Sequence, residues 1–124
     1  ASVTYEKAYL EKTNTSLLVD LIQLDDEGFH NRYRKSPIKR LKRKRFLRNV
    51  AVALGNSEDL QAIPFLEKAL GDKEPLIRSH SLWALGELLR EKSLFFIEKY
   101  LTMDSDPLVL DEIRIIKTKY SLTS

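Results

Sequence analysis

Cysteine is absent from all 124 residues. That excludes disulfides, thiolate zinc sites, cysteine nucleophiles and cysteine-held iron–sulfur clusters from this stretch of chain. No uninterrupted apolar run approaches the roughly 20 residues that span a bilayer, and no basic-then-apolar leader opens the sequence. Ala1 stands where an initiator Met would be, the start expected of a piece of a longer chain. The two histidines, His30 and His80, lie far apart in sequence, and each reads as a surface or locally bonded side chain. No paired carboxylates, Ser–His–Asp set or Gly-rich phosphate loop is placed for catalysis. Glu58-Asp59 and Asp25-Asp26-Glu27 read more simply as helix-start acids. The expectation is a chain without a complete active site of its own, working in a bacterial or organellar interior, most simply the cytoplasm, and away from membranes.

Strand signals are also missing: there is no sustained two-residue alternation and no hairpin dipeptide. The chain is long enough for one domain with one core, and 43% hydrophobic with 31% charged residues is ordinary globular composition. An internal repeat supplies the architecture. Ala53-Leu54-Gly55 recurs as Ala84-Leu85-Gly86 and Phe65-Leu66-Glu67-Lys68 as Phe96-Ile97-Glu98-Lys99, both at an offset of 31. Pro75-Leu76-Ile77 recurs as Pro107-Leu108-Val109 at an offset of 32. Ile77, Ser81, Ala84, Leu85 and Leu88 form one helical stripe, as do Phe46, Val50, Ala53 and Leu54, and Val109, Ile113, Ile116 and Tyr120. The fold expected is all-α, a HEAT-type α-solenoid of antiparallel helix pairs, each burying its neighbour's apolar face. Helices are predicted near 16–24, 26–34, 44–55, 60–70, 75–90, 92–102 and 107–121, with a short one around Tyr5–Glu11. Residues 1–35 read as a helical lead-in and 36–124 as repeats of a single domain. Pro75 and Pro107 suit first helical positions, Asp106 a cap, and Pro64 a first turn. Trp83, Phe95 and Phe96 read as core.

The remaining absence is of one charge sign. No acidic residue falls between Glu27 and Glu58, while Arg32, Arg34, Lys35, Lys39, Arg40, Lys42, Arg43, Lys44, Arg45 and Arg48 stand in that stretch, a local charge of +10. The rest of the chain holds 11 basic against 18 acidic residues. A straight helix from Pro37 to Leu54 would aim Lys39, Lys42 and Arg43 at the core, which unpaired charge forbids. Moving Pro75 back by the 31-residue period starts the helix at Lys44 instead, so the basic run straddles a helix N-terminus. Cations there are mutually repulsive and become favourable around a phosphate. A polyphosphate or nucleic-acid surface is the expectation. A membrane-surface helix would need a broader apolar face than Ile38, Leu41, Phe46 and Leu47 supply. Tyr33 and His30 offer rings for base stacking, although Tyr33 reads first as a packing residue.

The region from Ser36 to Leu88 also resembles a family. Ser36-Pro37-Ile38-Lys39, Leu47-Arg48-Asn49, Ala53-Leu54-Gly55-Asn56 and Ala62-Ile63-Pro64-Phe65-Leu66 are similar to elements of the C-terminal region of bacterial epoxyqueuosine reductases. So is the run from Asp72-Lys73-Glu74-Pro75-Leu76-Ile77-Arg78 through His80 to Trp83-Ala84-Leu85-Gly86. The resemblance implies the helical C-terminal domain of an enzyme that reduces an epoxide on tRNA in the last step of queuosine formation. Cobalamin and two 4Fe–4S clusters are implied in a missing upstream catalytic domain, since this chain has no cysteine to hold them. The implied partners are that domain and a tRNA anticodon stem–loop. The candidate phosphate-binding set is the ten cations with Asn49, although Arg48 and Asn49 could equally be structural, Asn49 bonding a neighbouring loop. The competing reading is a protein-binding scaffold whose basic run meets an acidic partner.

Overall fold

The computed structural model describes residue 6 and residues 9–120. Seven helices follow one another there: α1 (Thr15–Ile22), α2 (Asp26–Tyr33), α3 (Arg43–Gly55), α4 (Ile63–Ala69), α5 (Pro75–Leu89), α6 (Leu94–Tyr100) and α7 (Pro107–Tyr120). Short 3-10 turns at Pro37–Arg40, Leu60–Ala62 and Arg90–Ser93 link them. The predicted short helix around Tyr5–Glu11 falls partly outside the described residues; residues 9–11 and Glu6 are helical.

Local chemistry sets the boundaries. Asn14 and Asp25 cap α1 and α2 through their side chains, accepting from Leu17 N at 2.9 Å and Gly28 N at 2.7 Å. Pro75 opens α5 and Pro107 opens α7, where a missing N–H costs nothing. Asp106 Oδ1 accepts from Leu108 N at 2.9 Å and caps α7. Pro64 sits in the first turn of α4. Arg90 ends α5 with φ 57°, a positive value more often adopted by glycine.

Helices α1, α3, α5 and α7 stack in sequence to form one layer, and α4 and α6 pack behind it. The predicted stripes face into this stack. Phe46, Val50 and Leu54 of α3, Ile77 and Leu85 of α5 and Val109 of α7 are fully buried in one continuous core. Helices α3 and α5 lie in tight contact at Gly55. A Cβ there would lie 2.7 Å from Trp83 Cζ3 and 2.9 Å from Ala84 Cα. Phe96 is buried, whereas Phe95 is 60% exposed and does not belong to the core as predicted. Adjacent residues on a helix point about 100° apart, and α6 is covered on one side only.

A polar ladder fixes one repeat against the next. Asp72 takes Arg43, with Nη1 donating to Oδ1 at 3.2 Å and Nη2 closing the second bond, while Arg43 Nε donates to Leu24 O at 2.7 Å. Arg78 repeats the device on Asp104, with Nε to Oδ2 at 2.8 Å and Nη2 to Oδ1 at 3.2 Å. Each aspartate also accepts a backbone N–H from its own loop, Glu74 N at 2.9 Å and Asp106 N at 3.1 Å. Burial pushes the Asp104 carboxyl up, but the Arg78 bonds and charge outweigh it and hold it below the usual carboxylate range. Both pairs are largely buried and geometrically satisfied, so breaking either would strand a charge.

Candidate nucleic-acid interface

The basic run is built as a corner. Arg32 and Arg34 end α2, Lys39 and Arg40 sit in the 3-10 turn, and Lys42, Lys44 and Arg45 surround the start of α3. Leu41 and Lys42 take extended backbone angles between the two helical pieces. One continuous helix is thereby avoided, and α3 begins at Arg43, one residue before the predicted start.

Aromatic packing closes the corner. Tyr33 of α2 and Phe46 of α3 meet edge-on with ring centroids 5.0 Å apart, and Phe29 lies 5.3 Å from Tyr33 and 5.6 Å from Phe46. All three are buried, so Tyr33 is a packing residue and does not offer its ring to a base. Arg32 lies over the Tyr33 ring, 5.8 Å from its centroid. Ile38 inserts beneath the 3-10 turn, and Ser36 Oγ accepts from Ile38 N at 3.1 Å to start that turn. The apolar side chains of this stretch thus point inward and the cations outward.

The electrostatics are one-sided. Arg32, Arg34, Lys35, Lys39, Arg40, Lys42 and Arg45 are exposed, and Lys44 is half-buried. Among the described residues none of these eight has an ion pair. The first turn of α3 holds no acid, and Lys42 provides no side-chain cap, so the first N–H groups of α3 add partial positive charge to the corner.

Three members of the predicted set are placed differently. Arg43 is spent on Asp72 and Leu24 in the ladder; its proximity in sequence to the other cations hid a partner 29 residues away. Asn49 donates through Nδ2 to both carboxylate oxygens of Glu6 at 3.0 Å, and its Oδ1 accepts from Arg48 Nε at 2.7 Å. Sequence reasoning missed Glu6, because nothing local links it to a residue 43 positions on. Arg48 also lies near His80, whose Nδ1 donates to Leu76 O at 2.9 Å. Burial first and then the Arg48 charge hold that imidazole below its ordinary range, against the opposing bond to Leu76 O. His30 is exposed on α2. Among the described residues no cluster of His, Asp or Glu could hold a metal ion, and no helix is long and apolar enough to cross a membrane.

Comparison with known proteins matches residues 38–115 to HEAT repeats. The chain is 40% identical over 77 residues to epoxyqueuosine reductase of Xanthomonas campestris, covering 60% of this chain and 21% of that enzyme. It is 33% identical over 85 residues to the Escherichia coli K12 epoxyqueuosine reductase, covering 68% of this chain and 22% of the enzyme. The chain therefore spans about a fifth of the length of the curated relatives it matches. The fold is that of part of a solved epoxyqueuosine reductase, with a TM-score of 0.73 at 24% identity over 83% of this chain and 28% of the other. A second solved reductase, with a tRNA-Tyr epoxyqueuosine-modified stem loop, aligns with a TM-score of 0.69 at 24% identity over 81% of this chain and 28% of that one. The resemblance read from the sequence motifs and the helical-repeat fold are both borne out.

Proposed function

Because the chain belongs to the HEAT-repeat family, we propose that it is the RNA-holding helical domain of an epoxyqueuosine reductase, and that the α2–α3 corner grips a tRNA anticodon stem–loop. The observation that carries this reading is the corner itself: eight cations from the end of α2 to the first turn of α3, without ion pairs among the described residues, leading to a helix N-terminus whose first turn has no acid. A phosphate chain relieves their mutual repulsion and takes up the free N–H groups. The stem loop on the related reductase supports the choice of RNA over an acidic protein. Arg32, Arg34, Lys35, Lys39, Arg40, Lys42, Lys44 and Arg45 are the phosphate contacts, and Arg48 and Asn49 lie just beyond them on α3.

Catalysis belongs to the four-fifths of the reductase length that this chain does not span. Cysteine-held iron–sulfur clusters do not fit the residues present, since cysteine is absent. On this reading the chain is the C-terminal part of a cytoplasmic enzyme and acts by positioning the loop for the catalytic part.

The test is fluorescence anisotropy with a labelled anticodon stem–loop. Lys39→Glu combined with Arg40→Glu alters two exposed, unpaired cations and is expected to weaken binding about tenfold or more with the fold intact by circular dichroism. Affinity unchanged by the double reversal, or capture of an acidic protein with no RNA affinity, would overturn the proposal.

A further inference from the structure

On the same face of α3 as Arg48 lies a cavity of about 1030 Å³, bordered by Glu6, Leu10, Arg48, Asn49, Val52 and Asp59. Its size is at the upper end of ligand clefts. It opens where the basic run ends, because Arg48 is the last cation of that run and one of the cavity's walls.

The walls are unlike the corner. Glu6 is almost wholly buried, and its carboxylate anchors Asn49, which in turn holds Arg48 by Nε. That chain of bonds orients the guanidinium and leaves its two terminal amino groups outside it. Leu10 and Val52 supply apolar surface beside it. A phosphate is a poor occupant, since Glu6 and Asp59 bring negative charge to the same walls. Both Glu6 oxygens are taken by Asn49, so Asp59 is the wall carboxylate left to accept, and the part of an RNA chain that suits one such acceptor, a fixed planar guanidinium and apolar side chains is a base. Carboxylates accept from exocyclic amino groups, and Arg offers both donors and a stacking face.

We infer that this cavity is a nucleobase subsite, taking one unpaired base with an exocyclic amino group while the corner holds the phosphates on either side. The inference rests on the RNA-holding reading proposed above. It makes Arg48 a two-sided residue, joining the phosphate track to the base site, and makes Glu6 and Asn49 positioning residues for its guanidinium.

The experiment compares three RNAs on the 124-residue chain by anisotropy at fixed salt: a stem with an unpaired loop, the same stem–loop with abasic nucleotides in the loop, and a blunt duplex of the stem. The abasic loop keeps every phosphate and removes only the bases. Expected is roughly tenfold tighter binding of the intact loop than of the abasic loop. Val52→Trp, which sets an indole against the Arg48 guanidinium where the base would stack, is expected to abolish that preference and leave duplex binding in place. Asn56→Trp, at an exposed position on the rim, is the second variant should Val52→Trp not fold. Equal affinity for intact and abasic loops, or a preference that survives both substitutions, would overturn the subsite and leave the phosphate reading standing. Failure of all three RNAs to bind would overturn both.

Discussion

Glu112 shows how much a single residue's surroundings decide. It lies on α7, half-buried, with Oε2 sealed from solvent and without a hydrogen bond. Burial, with Asp111 and Glu87 nearby, raises its pKa to about 7. A carboxyl raised on folding stabilises the fold below its unfolded pKa and loses that contribution as pH rises through the folded value. Glu112→Gln is therefore expected to match the unchanged chain in urea denaturation at pH 4. At pH 8 it should be more stable by about 1 kcal/mol, a figure discounted for partial exposure. No gain at pH 8 would remove the argument. The same scale separates the basic residues. Arg43 and Lys44 are neighbours in sequence, yet one is locked to Asp72 and Leu24 and the other has no ion pair among the described residues. A charge run discloses how many cations there are and not which of them the fold consumes. The Asp72-x-x-Pro75 and Asp104-x-x-Pro107 repetition was the available signal for the ladder, but its arginine partners lie 29 and 26 residues from their aspartates and share no register.

At the scale of elements, most of the fold was legible because repeats state their pattern more than once. The stripes led by Phe46, Ile77 and Val109 are the buried faces of α3, α5 and α7, and Pro75 and Pro107 begin their helices. The break before α3 was legible for a physical reason: a helix through Lys39 and Lys42 would have buried charge. The closeness of α3 and α5 rests on Gly55, which lies against Trp83 and Ala84. Gly55→Ala gains helix propensity but forces its methyl into Trp83 and the α5 backbone. The net expectation is a loss of about 1–3 kcal/mol in thermal or urea unfolding. An unchanged or raised stability would mean the two helices separate at little cost. Phe95 went the other way, because two adjacent aromatics cannot both face a layer that covers one side of α6.

For the whole molecule, the distribution of charge matters more than its sum of +3. The basic corner lies between α2 and α3, whereas α7 mixes Asp111 and Glu112 with Arg114, Lys117 and Lys119. An RNA bound at the corner would release counterions from each phosphate it presents. Log affinity is expected to fall linearly with log salt, with a slope of roughly −6 to −7 if all of the roughly eight corner cations meet a phosphate. Each exposed cation reversed should flatten the slope by about one. A slope near zero would point away from a phosphate interface.

The residue order alone determined the helices, their repeat and the side of the chain that is basic, since each depends on spacing within a turn or a period. Only the tertiary structure decided that Arg43 is internal, that Glu6 and Asn49 meet, and that a cavity opens beside Arg48. Those outcomes depend on which distant segments the packing brings within hydrogen-bonding distance. A local pattern carries no record of that distance.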